Sequence, residues 1–248
     1  MTDTRRIRAV LFDAAGTLLR VRGSVGAIYA EVMERHGARI PIETIETRFR
    51  EFMAAAPPSA FPNAPIDEVP HLERRWWRAL VSEVMLPAAP FDRFDACFDE
   101  LFELFRTERG WELLPGVRET LDRLASEGYM LGVITNFDSR VRDVLRHLGI
   151  ARYFRSVILA SEEGTAKPHP DLFRAALRRL RLLPGEALYV GDRPEHDVEG
   201  ALAAGLIPVI LDPDARTNAP GSMRIRSLAD LLDVLAIDPR ELSAGLYP

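Results

Sequence analysis

Five short apolar runs constrain the fold of this chain more than any other feature of its sequence. They read AVLF at 9–12, MLGVIT at 130–135, SVILA at 156–160, ALYV at 187–190 and IPVIL at 207–211. None alternates polar with apolar residues, so the predicted strands must be buried on both faces, as in a parallel sheet covered by helices. Because helical patterns separate the later runs, the sequence predicts an α/β fold with a doubly wound, mainly parallel sheet.

Residues 24–107 have a different pattern, in which apolar side chains recur at helical spacing. The first such stripe comprises Val25, Ile28, Tyr29, Val32 and Met33. No strand-like run interrupts this block, so it predicts an all-helical cap domain inserted after the first strand. We predict a core of residues 1–19 plus 113–248 and a cap of residues 20–112.

Charge and cysteine content exclude several classes of function. The 248 residues include 32 Lys plus Arg against 37 Asp plus Glu, a net charge of −5 at pH 7, which gives no support to nucleic-acid or anionic-membrane binding. Cys97 is the only cysteine, so neither an intrachain disulfide nor a cysteine-based metal cluster is expected. No apolar stretch reaches the roughly 18–20 residues of a membrane span, and the N-terminal segment lacks a signal-peptide pattern. We therefore expect a cytoplasmic protein.

Polar side chains follow the apolar runs, and these are the candidate site residues. In open α/β sheets, ligands bind beyond the carboxyl ends of the strands. The positions in question, in chain order, are Asp13, Gly16, Thr17, Thr135, Asn136, Lys167, Asp192 and Asp197. Carboxylates gathered with a hydroxyl, an amide and one cation would suit a hard divalent ion such as Mg²⁺ together with a phosphate group.

Lys167 is the only lysine of the chain, and the remaining Lys-plus-Arg total is entirely arginine. A composition this biased against lysine suggests that position 167 requires a compact ammonium group rather than a planar guanidinium. Composition alone leaves open the alternative that one lysine has persisted by drift.

Four segments resemble the motifs of the haloacid dehalogenase-like hydrolase superfamily in order and spacing. They read FDAAGTL, ITN, AKPHPDLF and YVGDRPEHDVEGALAAG. The resemblance spans nearly the whole chain and implies a Rossmann-like core, with the helical insert in the place of that family's C1 cap. The segments SAFPN, RRWW and ITNFD also resemble a subgroup called haloacid dehalogenase-like hydrolase domain-containing protein three.

This resemblance implies a nucleophile and a metal site. Asp13 would attack phosphorus and form an aspartyl-phosphate, which water then hydrolyses. Mg²⁺ would be bound by Asp13, by the backbone carbonyl of Ala15 and by Asp192, with Asp197 as a further ligand or as a residue that orients the ligands.

The resemblance also implies how a phosphate group is held. Thr135, Asn136 and the N–H of Gly16 would contact its oxygens, and Lys167 would neutralise charge between Asp13 and the phosphate. The expected partner is a small phosphorylated molecule, while the oligomeric state is left open. His196 is expected to point outward from its turn, and Trp76 and Trp77 to belong to the interior of the cap.

Ala15 departs from the pattern of the family's phosphatases, which have an aspartate two residues after the nucleophile. That aspartate protonates the leaving group and then activates water, and help of this kind is worth roughly 10²–10⁴ in rate. The methyl group of Ala15 cannot supply it. Hydrolysis of phosphate esters or acyl phosphates would then favour leaving groups that depart without a proton, such as a phenol or an acyl group.

Three alternatives follow from the same departure. A 2-haloacid dehalogenase would use Asp13 as nucleophile and needs no acid, but it uses no metal, whereas Asp192 and Asp197 argue for one. A phosphonoacetaldehyde hydrolase would need a lysine in the cap, and residues 20–112 contain none. A non-catalytic protein that binds a phosphorylated ligand is the third alternative. The phosphatase is the favoured prediction.

Overall fold

The computed structural model describes residues 7–236. Its strands are β1 Ala9–Phe12, β2 Leu19–Val21, β3 Trp111–Leu113, β4 Met130–Thr135, β5 Phe154–Leu159, β6 Ala187–Gly191, β7 Ile207–Leu211 and β8 Met223–Ile225. Its α-helices are α1 Val25–Arg35, α2 Ile42–Ala55, α3 Val69–Met85, α4 Phe94–Leu104, α5 Val117–Ser126, α6 Val141–His147, α7 Ala160–Glu163, α8 Pro170–Leu180, α9 Pro194–Ala204 and α10 Leu231–Ala236.

A six-stranded sheet of order β5-β4-β1-β6-β7-β8 forms the core, and every pair of neighbouring strands is parallel. Strand β1 lies in its middle and is buried along its whole length. Val10 and Phe12 pack into the hydrophobic cluster on one face, and Ala9 and Leu11 into the cluster on the other. Burial on both faces accounts for the unbroken apolar runs, and the predicted doubly wound α/β fold is confirmed.

The strand order brings the ends of β1 and β6 together. From β1 the chain proceeds to β4 and β5 on one side of the sheet, and then crosses to β6, β7 and β8 on the other. Residues Phe12 and Val190 are partners in the β1–β6 pairing, so Asp13, which follows β1, lies beside Gly191, the last residue of β6. This is the point at which open α/β sheets bind their ligands.

Helices α1–α4, called the cap below, interrupt the chain between β1 and β4. Helix α1 packs on α2 and α4, and α3 packs on α2 and α4. Their buried side chains form a separate hydrophobic cluster that includes Tyr29, Met33, Phe98 and Leu101. As predicted, this part of the chain is helical.

A two-stranded antiparallel sheet, β2–β3, joins the cap to the core. Leu19 pairs with Leu113 and Val21 with Trp111. The apolar-run pattern did not predict these strands, because three residues are too few to show it. The sheet lies at the predicted limits of the insert, residues 19/20 and 112/113, although the domain boundaries themselves stay a prediction.

The C-terminal part of the described chain is a short 3-10 turn at Leu228–Asp230 followed by α10. The segment SLADLLDVLAI at 227–237 has apolar residues at helical spacing and predicts a closing helix; its last residue, Ile237, lies outside the described residues, as do residues 1–6 and 238–248. Within residues 7–236 no helix is both long and apolar enough to cross a membrane.

Candidate active site

The ammonium group of Lys167 lies at the centre of the site. Its Nζ donates to Oδ1 of Asp13 at 2.6 Å, to Oδ1 of Asp197 at 2.7 Å and to the hydroxyl of Tyr189 at 2.9 Å. All four side chains are buried. An ammonium group has three donors on a compact centre, which matches three acceptors around one point, whereas a guanidinium is planar and wider. The geometry gives a physical reason for a lysine at this position in a chain that otherwise uses arginine.

Asn136 holds the backbone of Lys167 in place. Its Oδ1 accepts from the Lys167 N–H at 2.9 Å, and its Nδ2 donates to the Lys167 carbonyl at 3.2 Å. The amide group predicted to contact phosphate is thus engaged in positioning the lysine.

Thr135, the residue before Asn136, is buried. Its Oγ1 accepts from the N–H of Phe137 at 3.1 Å, which leaves the hydroxyl proton available to a ligand.

Gly16 provides space rather than a free donor. Its N–H donates to the carbonyl of Leu19 at 2.7 Å, so the hydrogen predicted to contact phosphate is already engaged. Its φ of 95° lies in the left-handed region, and an added Cβ would lie 2.2 Å from Oδ2 of Asp192. Thr17 donates to Oδ1 of the same carboxylate at 3.4 Å. The loop after β1 therefore packs directly against Asp192.

Asp197 has both carboxylate oxygens engaged within the protein. Its Oδ1 accepts from Lys167 and from the Tyr189 hydroxyl at 2.9 Å, and its Oδ2 accepts from the N–H of Arg193 at 2.9 Å. An added Cβ on Gly191 would lie 2.3 Å from Cγ of Asp197, so glycine is required where the strand passes this side chain. These contacts favour an orienting role for Asp197 over direct coordination of a metal.

Tyr189 belongs to the site although the sequence did not indicate it. It lies within the apolar run of β6 and is fully buried. A tyrosine within an otherwise apolar run could have indicated it, because a buried tyrosine hydroxyl requires a hydrogen-bond partner.

The carboxylates carry more negative charge than Lys167 compensates. Burial, above all, raises the pKa of Asp13, and Lys167 opposes that rise. Burial, then Asp13 and Asp197, raise the pKa of Asp192 to about 7. Burial alone would lower the pKa of Lys167, but Asp13 and Asp197 together raise it, so the lysine stays protonated. The raised pKa of Asp192 reflects the negative charge around it, which a bound cation would offset.

The donor set fits a hard divalent cation. Three carboxylates and one ammonium leave two negative charges, which one divalent ion would balance. Among residues 7–236 no group of three or more His, Cys, Asp or Glu side chains is arranged as a metal cluster. The available oxygens are those of Asp13, Asp192 and the backbone, as expected when Asp197 is engaged with Lys167.

A cavity of about 880 Å³ opens between the site and the cap. Asp13, Thr135 and Lys167 line it on the core side, and so does Ala15.

The expectation that His196 points outward was wrong, because this residue lines the cavity and its Nδ1 is buried without a hydrogen-bond partner. Trp76 and Trp77 also line the cavity, so they do more than fill the interior of the cap.

A buried polar network ties the cap to the core. Arg140 donates from Nε and Nη2 to the two oxygens of Asp138 at 2.9 and 2.6 Å, and from Nη1 to the carbonyl of Phe102 at 3.1 Å. Trp77 of the cap donates to Asp138 at 2.5 Å. The sequence did not indicate Asp138 and Arg140, which come three and five residues after the end of β4.

A second contact of the same kind involves Glu73 of α3. Its Oε1 accepts from the N–H of Ser139 at 2.9 Å and from Oγ of Ser161 at 2.6 Å, and its Oε2 accepts from Oγ of Ser139 at 2.5 Å. Burial raises the pKa of this carboxyl group. Both networks hold the cap over the carboxyl ends of the strands.

The parallel sheet, the helices inserted after its first strand and the acid–lysine cluster at the strand ends define a hydrolase with a Rossmann-like core. The chain belongs to the haloacid dehalogenase-like hydrolase family, whose family model matches residues 7–205. It is similar to haloacid dehalogenase-like hydrolase domain-containing protein 3 of Xenopus laevis, with 32% identity over 235 residues, covering 92% of this chain and 96% of that protein. The predicted superfamily and subgroup are thereby confirmed.

Two solved structures of haloacid dehalogenase-like proteins have a similar fold. A HAD phosphatase from Thermococcus onnurineus has a TM-score of 0.64 and 25% identity, covering 92% of this chain and 98% of its own. A 2-haloacid dehalogenase from Pseudomonas syringae pv. Tomato DC3000 has a TM-score of 0.61 and 28% identity, covering 93% and 98%.

The Arg140→Met substitution should lower the free energy of unfolding by about 3–5 kcal/mol, because Asp138 would remain buried without its cation. Urea unfolding measures the change. Arg142→Met is the matched control: its partner Glu162 is more exposed, so the expected loss is about 1 kcal/mol or less. Equal losses in the two variants would contradict a structural role for the buried pair.

Proposed function

We propose that this hydrolase is an Mg²⁺-dependent phosphatase that acts on phosphate esters or acyl phosphates through Asp13. The observation that carries the proposal is the arrangement of Asp13, Lys167 and Asp197 beside the carboxyl group of Asp192, which packs against Gly16 and Thr17. Such an arrangement offers a nucleophile, a fixed positive charge and a cation site at one strand edge. The similarity to a protein named a HAD phosphatase supports it.

Asp13, Asp192 and the carbonyl of Ala15 would hold the magnesium ion. When bound, the ion would supply positive charge to the phosphate oxygens and to the attacking carboxylate. Asp197 would take part indirectly, by fixing Lys167 and Tyr189 through the hydrogen bonds described above.

In the proposed reaction a carboxylate oxygen of Asp13 attacks phosphorus in line. The bond from phosphorus to the leaving oxygen breaks, and its electron pair goes to the leaving group. Lys167 and the hydroxyl of Thr135 stabilise the charge on the transferring phosphoryl group. Water then attacks the aspartyl-phosphate, which releases inorganic phosphate and a proton and restores the Asp13 carboxylate.

The leaving group departs without an acid at position 15. Ala15 lines the same cavity as Asp13 and offers only a methyl group. Phenolates and carboxylates are stable enough as anions to leave in this way, whereas alkoxides are not. The proposed substrates are therefore aryl phosphates or acyl phosphates.

Dehalogenation is the second candidate, because a protein named a 2-haloacid dehalogenase has the same fold at 28% identity. Asp13 would then displace halide from carbon. Asp192 packs against Gly16, and its raised pKa indicates that a cation beside it would be favourable. Because the phosphatase would use a metal ion, this carboxyl group argues for the phosphatase. Ligand binding without turnover is the remaining alternative.

Phosphate release from 4-nitrophenyl phosphate should require Mg²⁺ and should fall by about 10⁴-fold or more in Asp13→Asn, because the nucleophile is lost. A colorimetric phosphate assay measures it. Asp171→Asn, which alters an exposed carboxylate, is the control and should keep full activity. Chloride release from L-2-chloropropionate without metal would instead support the dehalogenase.

The Ala15→Asp substitution should raise kcat for glycerol 3-phosphate by about 10²-fold, since the new carboxyl group can protonate an alkoxide. Turnover of 4-nitrophenyl phosphate should change far less. Ala15→Asn is the matched control, because it has the same shape without a proton to transfer. A similar change in both variants would show that the missing acid does not limit turnover.

Magnesium affinity should rise with pH. The pKa of about 7 at Asp192 means that the metal-free protein holds a proton there at pH 6, which the ion must displace, and holds little at pH 8. The dissociation constant should therefore fall by about tenfold over this range, as titration calorimetry would measure. Heats in buffers of different ionisation enthalpy report the released proton. An affinity independent of pH would contradict Asp192 as a ligand.

A further inference from the structure

The cavity above Asp13 has an aromatic wall. Phe105, Trp111 and Phe137 all line it, and their rings form a contiguous group with centroid separations of 6.1 Å for Phe105–Trp111 and 5.0 Å for Trp111–Phe137. Farther into the cap, Phe49 and Trp77 are stacked at 6.5 Å and also line the cavity. Aromatic side chains therefore line the cavity both where the cap meets the core and inside the cap.

In-line attack determines which part of a substrate meets this wall. The attacking oxygen of Asp13 and the leaving oxygen must lie on opposite sides of phosphorus. Asp13 is buried on the core side of the cavity, and the cap closes the other side. The leaving group consequently extends away from the sheet, past Ala15 and into the aromatic region.

Most of the polar side chains that line the cavity belong to the core; the insert contributes Tyr29, Glu46, Arg50 and Ser59, besides the indole groups of Trp76 and Trp77. Asp138 and Arg140 bind each other, and Trp77 donates to Asp138. Among the described residues that line the cavity, the buried side-chain atoms without a hydrogen-bond partner are Oγ of Ser59 and Nδ1 of His196. A polyol placed here would lose hydrogen bonds to water that the wall cannot replace, at a cost for each hydroxyl group.

We propose that the cavity binds the aromatic leaving group of an aryl phosphate, and that Phe49 with the wall of Phe105, Trp111 and Phe137 determines this preference. The proposal rests on the proposed phosphatase activity and narrows its substrate class. A volume of about 880 Å³ is large enough for a fused ring system. An aromatic leaving group meets two separate requirements, because it packs on the rings and departs as a phenolate without a proton from position 15.

Four phosphorylated compounds separate ring binding from leaving-group chemistry. The compounds are 2-naphthyl phosphate, phenyl phosphate, acetyl phosphate and glycerol 3-phosphate. The first two release phenolates of similar stability but differ in ring area, so kcat/KM should be about tenfold or more higher for 2-naphthyl phosphate, chiefly through KM. Acetyl phosphate has a good leaving group without a ring, and glycerol 3-phosphate has neither property.

The Phe49→Ala variant tests the contribution of the cap. It should raise KM for 2-naphthyl phosphate about tenfold and leave acetyl phosphate within about twofold. Phe94→Ala is the matched control: Phe94 stacks on Phe98 in the same cap cluster but is not among the cavity-lining residues, so neither substrate should change. Thermal melts verify folding, and Phe49→Leu replaces Phe49→Ala if that variant does not fold.

Binding to the Asp13→Asn variant distinguishes failure of this proposal from failure of the phosphatase. Calorimetry should give a dissociation constant at least about tenfold lower for 2-naphthyl phosphate than for glycerol 3-phosphate. If no compound is hydrolysed but this difference persists, the phosphatase is wrong and the aromatic site stands. If acetyl phosphate is hydrolysed but the naphthyl, phenyl and glycerol compounds bind and react alike, the phosphatase stands and the aromatic site is overturned.

Discussion

The hydrogen bonds of one buried ammonium group organise this molecule. Lys167 connects the end of β1 through Asp13, the strand β6 through Tyr189 and the first turn of α9 through Asp197. Its own backbone is held by Asn136 after β4. Three side chains thus meet at the ammonium nitrogen, and a fourth segment holds the backbone of the residue that carries it. A buried charge of this kind is stable only when all its partners are in place.

The cap depends on a similar balance of buried charge. Asp138 and Arg140 come from the core segment after β4, yet their partners Trp77 and Phe102 belong to the cap. Arg140 also lies over the ring of Phe102, 4.0 Å from its centroid. Because these groups are satisfied by each other, they fix the cap above the site and at the same time leave the cavity between them largely apolar.

Much of the core could be predicted from the sequence, because a strand buried on both faces requires an unbroken apolar run. The same runs located Asp13, Asp192 and Lys167 at one edge, since parallel strands bring their carboxyl ends together. Side-chain direction could not be predicted. Which way His196 points depends on the orientation of α9, and the engagement of the Gly16 N–H by Leu19 depends on a turn closed only in three dimensions.

Position 15 and the cap together determine which leaving group the site can bind and release. A carboxylic acid at position 15 would be needed to expel an alkoxide, and a site rich in hydrogen-bonding groups would be needed to bind a polyol. Position 15 is alanine, and aromatic rings line the cavity where the cap meets the core. A fourth carboxylate at the strand edge would also add negative charge to a cluster in which burial and the neighbouring carboxylates already raise the pKa of Asp192 to about 7. Ala15 avoids that repulsion. The alanine is therefore consistent with a site whose leaving group is a stable anion held by aromatic rings, and it need not mark the loss of an activity.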